Sequence, residues 1–307
     1  MLIYATRRLL SALPVIFGVL TITFAVMYLL PGDPASIMLA RSGASAEQIA
    51  RLRSELGLDD PLLTQYTRYL GKAVQGDFGV SISSAEPVVS KILKALPKTL
   101  ELALAAMLIS LPIGTLLGVL AAVYQNRWID RVLVAISSIG VAMPSFWFGL
   151  MLILLFSVTL KWLPASGQGT LKQLILPATV LGFGAMGSTT RTARASMVEI
   201  LRQDYMRTAR AKGLAEKVVI VRHGLRNALI PIVTMVGLQF GWLVSGSFIV
   251  EVVFARQGIG RILINAIEAK DLPVVQGGVF YIAVMYILLN LVVDLSYGFV
   301  DPRIRYS

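Results

Sequence analysis

The stretch DYMRTARAKGL, residues 204–214, gathers the side chains best suited to polar chemistry in this 307-residue sequence. It carries Arg207, Arg210 and Lys212 beside a single acid, Asp204, and ends near a glycine, Gly213. Cations at these spacings form charge-assisted hydrogen bonds with carboxylates and phosphates. The stretch therefore predicts charged contacts, either with a partner protein or with anionic lipid headgroups.

Composition argues against catalytic and metal-binding chemistry. The chain has no cysteine, and His223 is its only histidine, so neither a thiolate site nor a histidine cluster can bind zinc or nickel. No phosphate-binding loop of the form GxxxxGK[ST] occurs in the sequence. We therefore predict that this chain is not an enzyme and binds no metal or cofactor itself.

The overall composition indicates an integral membrane protein. Hydrophobic residues make up 56% of the chain and charged residues only 15%, whereas charged residues are about a quarter of a typical soluble domain. The net charge of +11 would suit a nucleic-acid-binding protein, but the basic residues lie between and beside long apolar runs. We therefore expect a lipid bilayer as the surroundings and no nucleic-acid partner.

Six uncharged segments reach or approach the roughly 20 residues that a helix needs to cross a bilayer. They are residues 9–30, 102–123, 132–160, 173–190, 227–250 and 272–293. The fourth is the weakest because it ends in GFGAMGSTT. The first is longer than a signal-peptide core and ends in LLPGDP instead of a small-residue cleavage site, so we expect it to be retained.

The distribution of lysine and arginine predicts the orientation of these spans. The connection at residues 191–226 has nine basic residues against three acidic ones, whereas the segment at residues 31–98 has eight against seven. The basic side of a multi-span protein faces the cytoplasm. We therefore expect an all-α membrane protein with six transmembrane helices, with both termini and residues 191–226 in the cytoplasm.

The same pattern predicts three regions along the chain. They are residues 1–30 (N-terminal segment and first span), 31–98 (external segment) and 99–307 (five-span core). The external segment has two helix-start signals, since SAEQ at residues 45–48 has capping-box spacing and Asp60 precedes Pro61. Short amphipathic helices are therefore expected outside the membrane, either packed on the bundle or available for docking.

Residues 192–225 are too regular for a simple loop. Apolar and aromatic residues recur there at three- and four-residue spacings, as on one helical face: Met197, Ile200, Leu201 and Tyr205. Gly213 can adopt the left-handed conformation that ends a helix, and VVIVRHGLRNALIP then predicts a second helix leading into the fifth span. A basic helix that binds anionic lipid at the membrane surface is the alternative to a docking helix.

The combination DYMRTARAKGL…RNALIP resembles the cytoplasmic signature loop of permease subunits in bacterial binding-protein-dependent ABC importers, most of all the dipeptide and oligopeptide branch. Further patches resemble signatures of that branch in the expected order: LLPGDP, ELGLDDPLLTQY, QGDFGVS, VEVVFARQGIGR and VDPRIRY. Arg207, Thr208 and Ala209 occupy the positions of the general Glu-Ala-Ala of the loop and depart from it at the first two. Gly213 occupies the glycine position, and Pro231 falls later than the general spacing requires.

This resemblance implies one half of a translocation pathway for dipeptides or oligopeptides in the bacterial inner membrane. It implies four kinds of partner: a homologous second permease, two ATPase subunits that bind ATP and Mg, an external substrate-binding protein and the bilayer. The residues that it assigns to ATPase coupling are Leu201, Asp204, Tyr205, Arg207, Thr208, Ala209, Arg210, Ala211, Lys212, Gly213 and Leu214. Leu201 and Tyr205 are the candidate anchors.

Polar residues within the predicted spans are candidates for lining the pathway. They are Gln239, Trp242, Ser245, Ser247, Asn290 and Asp294. A structural hydrogen bond or helix-packing contact is the alternative for the first five, and an ion pair with a helix-end arginine is the alternative to proton relay for Asp294.

Three other functions remain open from the sequence. They are import of another small solute, such as glutathione or a nickel complex, a proton-coupled secondary transporter, and a lipid-binding scaffold. VEVVFARQGIGR likewise has two interpretations, contact with the binding protein or a re-entrant plug.

Overall fold

The structure is a computed structural model that describes residues 2–29, 34–39, 45–55 and 57–300. In that part of the chain the regular elements are helices, and the extended pairing is limited to one isolated bridge between Val80 and Pro87. The all-α fold class is therefore confirmed. The signatures LLPGDP and VDPRIRY fall largely outside the described residues.

Thirteen α-helices follow one another in the described residues. They are α1 (Leu2–Leu29), α2 (Pro34–Leu39), α3 (Ala46–Glu55), α4 (Leu62–Val74), α5 (Val88–Val123), α6 (Trp128–Ala142), α7 (Ser145–Leu152), α8 (Leu171–Leu201), α9 (Asp204–Ala211), α10 (Glu216–Val218), α11 (Arg226–Val253), α12 (Ile259–Glu268) and α13 (Leu272–Val300). Two π-helical segments, Ile153–Thr159 and Val219–Leu225, extend α7 and join α10 to α11.

The chain divides into two compact units. The first comprises Met1–Pro97 and Arg261–Leu291, and the second comprises Lys98–Gly260 and Val292–Ser307. The basic segment, residues 191–226, and the turn after α11 both lie in the second unit, together with most of the predicted pathway residues.

In the first unit, α4 packs along α1 through aromatic and hydroxyl contacts. A 2.6 Å hydrogen bond joins Thr21 Oγ1 to the Tyr66 hydroxyl, and a 3.0 Å bond joins Thr23 Oγ1 to the Tyr69 hydroxyl. The ring of Phe24 lies 5.1 Å from that of Tyr66, centroid to centroid. Helix α4 is therefore fixed to the first apolar helix by specific polar and aromatic pairs.

The two predicted helix starts in the external segment have different outcomes. The Ser45–Gln48 capping box is confirmed, since Ser45 N donates to Gln48 Oε1 at 2.9 Å and Gln48 N donates to Ser45 Oγ at 3.3 Å. The second helix exists as α4, but Pro61 precedes its first residue and no side chain caps it. Asp60 instead forms an ion pair with Arg68 at 2.5 Å, so its predicted capping role is wrong.

A buried carboxylate fixes the loop between α4 and α5. Asp271 accepts hydrogen bonds from Ser81 Oγ at 2.6 Å, from Ser83 Oγ at 2.8 Å and from the Ile82 backbone N–H at 3.1 Å. Tyr281 donates its hydroxyl to the Gly76 carbonyl at 3.1 Å. The QGDFGVS signature is therefore tied to the start and first half of α13.

The second unit is organised around α8, which packs against α5, α6 and α11. Glycines allow the closest approaches: a Cβ on Gly187 would lie 2.2 Å from the Ser137 carbonyl oxygen, and one on Gly118 would lie 2.6 Å from Ala193 Cβ. Atoms cannot approach that closely, so a side chain at either position would force these helices apart.

The predicted third span, residues 132–160, is not one straight helix. The chain bends by 105° between Trp128–Ala142 and Ser145–Thr159. Pro144 lies at the bend, where it has no N–H to donate and disfavours helical geometry in the preceding residue. The sequence segment is apolar throughout, so hydropathy alone could not detect this break.

Three described helices are long and apolar enough to cross a bilayer, namely Thr6–Leu29, Val88–Val123 and Leu272–Val292, and the bent pair would make a fourth. The predicted fourth span lies within the longer α8, and the fifth lies within α11, where Gly237–Val253 forms a shorter apolar helix. The count of six spans therefore stays a prediction.

Candidate functional site

The basic segment contains a short separate helix, α9, and not the single helix predicted from Met197 to Lys212. Helix α8 ends at Leu201, and Gln203 is extended, with φ −69° and ψ 148°. Helix α9 then starts at Asp204. The prediction that Met197 and Tyr205 share one helical face is therefore wrong, because the extended residue reorients the chain between them.

One face of α9 is anchored by a small apolar core. Met206 is fully buried and Ala209 nearly so, and they pack with Val219 of the following π-helical segment. Ile200 and Leu201, at the end of α8, complete the cluster. Leu201 thus packs within this chain. Burying a side chain of the size of Met206 or Val219 stabilises the segment by about 1.5–3 kcal/mol.

The opposite face of α9 presents its polar side chains to the surroundings. Asp204 and Arg207 have side-chain exposures of 96% and 76%, and they form a loose pair at 3.6 Å. Such exposed pairs contribute at most about 1 kcal/mol, so both groups can readily exchange partners. The other predicted coupling residues that are exposed are Tyr205, Thr208, Arg210, Ala211, Lys212, Gly213 and Leu214.

The turn after α9 has the predicted left-handed glycine. Gly213 has φ 76°, a conformation that costs little for glycine but strains other residues. Across this turn Arg210 donates to Glu216 through Nε at 3.1 Å and through Nη2 at 2.9 Å. The hydrogen bonds from Arg210 lower the pKa of the Glu216 carboxyl. Arg210 therefore closes the turn within this chain.

Tyr205 links α9 to α11. Asn227 Nδ2 donates to the Tyr205 hydroxyl at 3.0 Å and to the His223 carbonyl at 3.0 Å. The tyrosine ring itself is 42% exposed. The hydroxyl thus orients α9, while much of the ring remains available for contact.

A bidentate ion pair supports the base of this segment. Arg194 Nε and Nη2 each lie 2.7 Å from a carboxylate oxygen of Asp130, and Asn126 N donates to the same carboxylate at 2.9 Å. Asp130 is almost completely buried. The pair joins α6 to α8 across 64 positions of sequence. Sequence reasoning missed it, because the only available signal was one acid in a strongly basic region.

A cavity of about 560 Å³ lies among the second unit's helices. Residues of α6, α7, α8 and α11 line it, and most of them are apolar. Two predicted pathway residues, Gln239 and Trp242, are among them. Gln239 is also a structural hydrogen-bonding residue, since its Nε2 donates to the Ala185 carbonyl at 2.6 Å and its Oε1 accepts from Thr189 at 3.1 Å.

Three further predicted pathway residues, Ser245, Ser247 and Asn290, do not line this cavity. Ser245 is exposed and donates to the Gly241 carbonyl at 3.2 Å, while Ser247 is buried and donates to the Val244 carbonyl at 2.7 Å. Asn290 is half-buried in α13 within the first unit. The side chain of Asp294 lies outside the described part of the structure.

The segment VEVVFARQGIGR folds around a buried glutamate. Glu251 accepts hydrogen bonds from Thr99 Oγ1 at 2.6 Å, from Ser247 Oγ at 3.2 Å and from Gly260 N at 2.9 Å. A Cβ on Gly258 would lie 2.2 Å from its carboxylate. The glycines of this signature therefore leave room for a carboxylate inside the protein.

An arginine in the same turn is also buried. Arg256 is 1% exposed, and its Nη2 donates to Glu101 Oε2 at 2.8 Å. Its backbone N–H donates to the Glu251 carbonyl at 2.8 Å. Glu251 thus fixes the backbone of the turn through the Gly260 N–H, and Arg256 fixes the turn to Glu101 of α5. Sequence reasoning did not anticipate either role.

Comparison with known proteins places this architecture among transporters. Residues 114–306 match the family described as "Binding-protein-dependent transport system inner membrane component", and residues 1–103 match the family of its N-terminal region. The glutathione transport system permease protein GsiC of Escherichia coli (strain K12) is 45% identical over 307 residues, covering 100% of both chains. The protein of the same name from Shigella boydii serotype 4 is 44% identical, with the same coverage.

The fold resembles solved importer structures at low sequence identity. An inward-facing form of the MetNI methionine ABC transporter superposes with a TM-score of 0.56 at 19% identity, covering 68% of this chain and 96% of that chain. A second crystal form gives a TM-score of 0.57, covering 69% and 96%. One family accounts for most of this chain, and full-length relatives share almost half of its residues. The chain therefore belongs to the binding-protein-dependent inner membrane component family: it is a permease subunit of an ABC importer, not an enzyme.

Proposed function

We propose that this chain forms half of the translocation pathway of a bacterial inner-membrane importer for short peptides, with α9 as its ATPase-coupling helix. The main support for the coupling role is that α9 has one buried face and one exposed face. The face with Met206 and Ala209 is buried against the chain, while Asp204 and Arg207 lie fully outward. This arrangement gives a rigid helix whose outward side chains can enter a cleft on a partner.

Helix α9 can transmit motion because it is rigidly attached to neighbouring helices of the chain. Met206, the Tyr205–Asn227 bond and the Arg194–Asp130 pair tie the segment to α6, α8 and α11. A rigid displacement of α9 would therefore displace those helices as well. ATP binding on the partners can drive the cycle only through its different affinity for the two states of the complex.

The proposed assembly contains a second, homologous permease, two ATPase subunits that hold ATP and Mg, and an external substrate-binding protein. The relatives are glutathione transport permeases, which supports a short peptide such as glutathione as the cargo. Dipeptides and longer oligopeptides belong to the same chemical class. An ATP-driven cycle also makes proton relay by Asp294 unnecessary for uptake.

Reconstitution of the complete importer into liposomes tests this proposal. With ATP inside and binding protein outside, we expect uptake of labelled glutathione or of a dipeptide. The same uptake should be absent without ATP and unaffected by collapse of the proton gradient. Uptake that follows the proton gradient and ignores ATP would contradict the proposal.

A further inference from the structure

Among the described residues that line the cavity, Arg191 carries the one charged side chain. It lies on α8, and its neighbours in the lining include Ser188 on the same helix and Gln239 on α11. Most of the remaining wall is apolar, with residues such as Val180, Phe183 and Ile249. A charge in such surroundings interacts more strongly with an incoming ion than it would in bulk water.

Gln239 and Ser188, two other polar residues of this wall, already have hydrogen-bond partners within the protein. Both polar atoms of the Gln239 amide are hydrogen-bonded: Nε2 donates to the Ala185 carbonyl and Oε1 accepts from the Thr189 hydroxyl. Ser188 Oγ donates to the same Ala185 carbonyl at 3.0 Å. The Gln239 bonds hold α11 against α8 and the Ser188 bond lies within α8, so both groups have little capacity left for a ligand.

Arg191 differs from Gln239 and Ser188 because its guanidinium has no hydrogen-bond partner among the described residues. The side chain is exposed, and within the described part of the chain it has neither a hydrogen bond nor an ion pair. Arg194, three residues further along α8, is by contrast fully committed to Asp130. A guanidinium offers five donors in a planar fork that matches a carboxylate. Arg191 therefore brings a charged group with free donors to this wall, which suits it to bind an anion.

We propose that Arg191 forms a carboxylate-binding subsite for the transported peptide, and that it favours passage of peptides with net negative charge. This inference rests on the proposed function. A peptide supplies a C-terminal carboxylate, and an acidic side chain or γ-linked residue supplies a second one. The apolar wall accommodates the rest of the peptide, and Trp242, which is more than half exposed, offers it a flat surface.

Charge-matched peptides test the subsite. Uptake by the complete importer is measured for peptides of net charge −1, 0 and +1, with wild type, Arg191→Gln and Arg191→Lys. Each rate is divided by the wild-type rate for the same peptide, which cancels the preference of the shared binding protein. We expect Arg191→Gln to reduce uptake of the anionic peptide about tenfold, in line with loss of a charge-assisted hydrogen bond.

The cationic peptide should lose less than about twofold in Arg191→Gln, and Arg191→Lys should retain most uptake of the anionic peptide because it keeps the charge. The matched control is Arg131→Gln, which removes an exposed basic residue of α6 that does not line the cavity. It should affect all three peptides equally and weakly.

Three results would overturn the subsite. They are an equal loss for all peptides in Arg191→Gln, no loss at all, or the same charge-dependent loss in Arg131→Gln. An equal loss would indicate a structural role or binding of lipid phosphate. A wild-type importer that moves no peptide, but moves another solute with ATP, would instead contradict the proposed substrate class and the subsite together.

Discussion

The segment around α9 and the turn after α11 both carry charged side chains, but they use them in opposite ways. Around α9, apolar side chains fix the backbone and the charges of Asp204 and Arg207 remain outside. In the turn after α11, Glu251 and Arg256 are buried and fix the backbone themselves. Exposed charges can meet a partner, whereas buried charges hold their own loop in place. Burial therefore separates candidate contact residues from positioning residues where sequence motifs do not.

The largest effect on stability is expected at the buried turn. Glu251→Ala leaves the Thr99 hydroxyl and the Gly260 N–H without their acceptor. Unsatisfied buried donors cost about 1–3 kcal/mol each, so we expect a loss of roughly 3–5 kcal/mol in the free energy of unfolding. Thermal unfolding of the purified chain in mild detergent measures it.

Ser245→Ala is the matched control for that substitution. Ser245 is exposed and bonds only to a carbonyl of its own helix in the described structure, so its loss should change the unfolding temperature very little. Equal unfolding temperatures for Glu251→Ala and Ser245→Ala would show that the buried network does not stabilise the turn.

A smaller effect on stability but a full loss of transport is expected at the turn after α9. Gly213→Pro cannot adopt φ 76° because proline is fixed near −65°. The substitution should misdirect α9 and abolish ATP-driven uptake, while the chain still inserts into the membrane. Uptake assays with membrane fractionation measure both. Gly169, an exposed glycine with φ 109° outside the α9 segment, supplies the control Gly169→Pro. Near-normal uptake by Gly213→Pro would contradict a coupling role for the turn.

The smallest effect is expected for the surface pair Arg210–Glu216. Both side chains are more than a third exposed, so the pair contributes less than about 1 kcal/mol. The pKa of Glu216 is lowered in the folded chain, so its contribution is complete above the ordinary glutamate pKa of about 4.3 and disappears as the pH falls through the lowered value.

Hydrogen exchange of the α9 segment tests this dependence. Wild type should exchange slightly more slowly than Glu216→Gln at neutral pH, and the two should converge when the buffer is acidified. A difference that persists or grows in acid would contradict the ion-pair explanation of this turn.

Local sequence signals predicted the local features of this fold. The capping box at Ser45 and the left-handed Gly213 both follow from short-range chemistry, and both are present. The long-range pairs could not be predicted from local signals, because their members lie far apart in the sequence. Thr99 and Glu251 are separated by 152 positions, and Arg194 and Asp130 by 64. Periodicity also failed at Gln203, because one extended residue breaks a helical pattern without changing its spacing.

Site-directed cross-linking tests the central claim, that the exposed face of α9 contacts the ATPase, most directly. The chain has no native cysteine, so a single cysteine can be placed on α9 by Thr208→Cys and, as a control, in the exposed connection before α8 by Ser166→Cys. With a short cross-linker in assembled membranes, the account predicts that Thr208→Cys joins the ATPase subunit, with a yield that changes on addition of ATP, whereas Ser166→Cys does not. Cross-linking of Thr208→Cys to lipid alone, or equal yields at both positions, would contradict it.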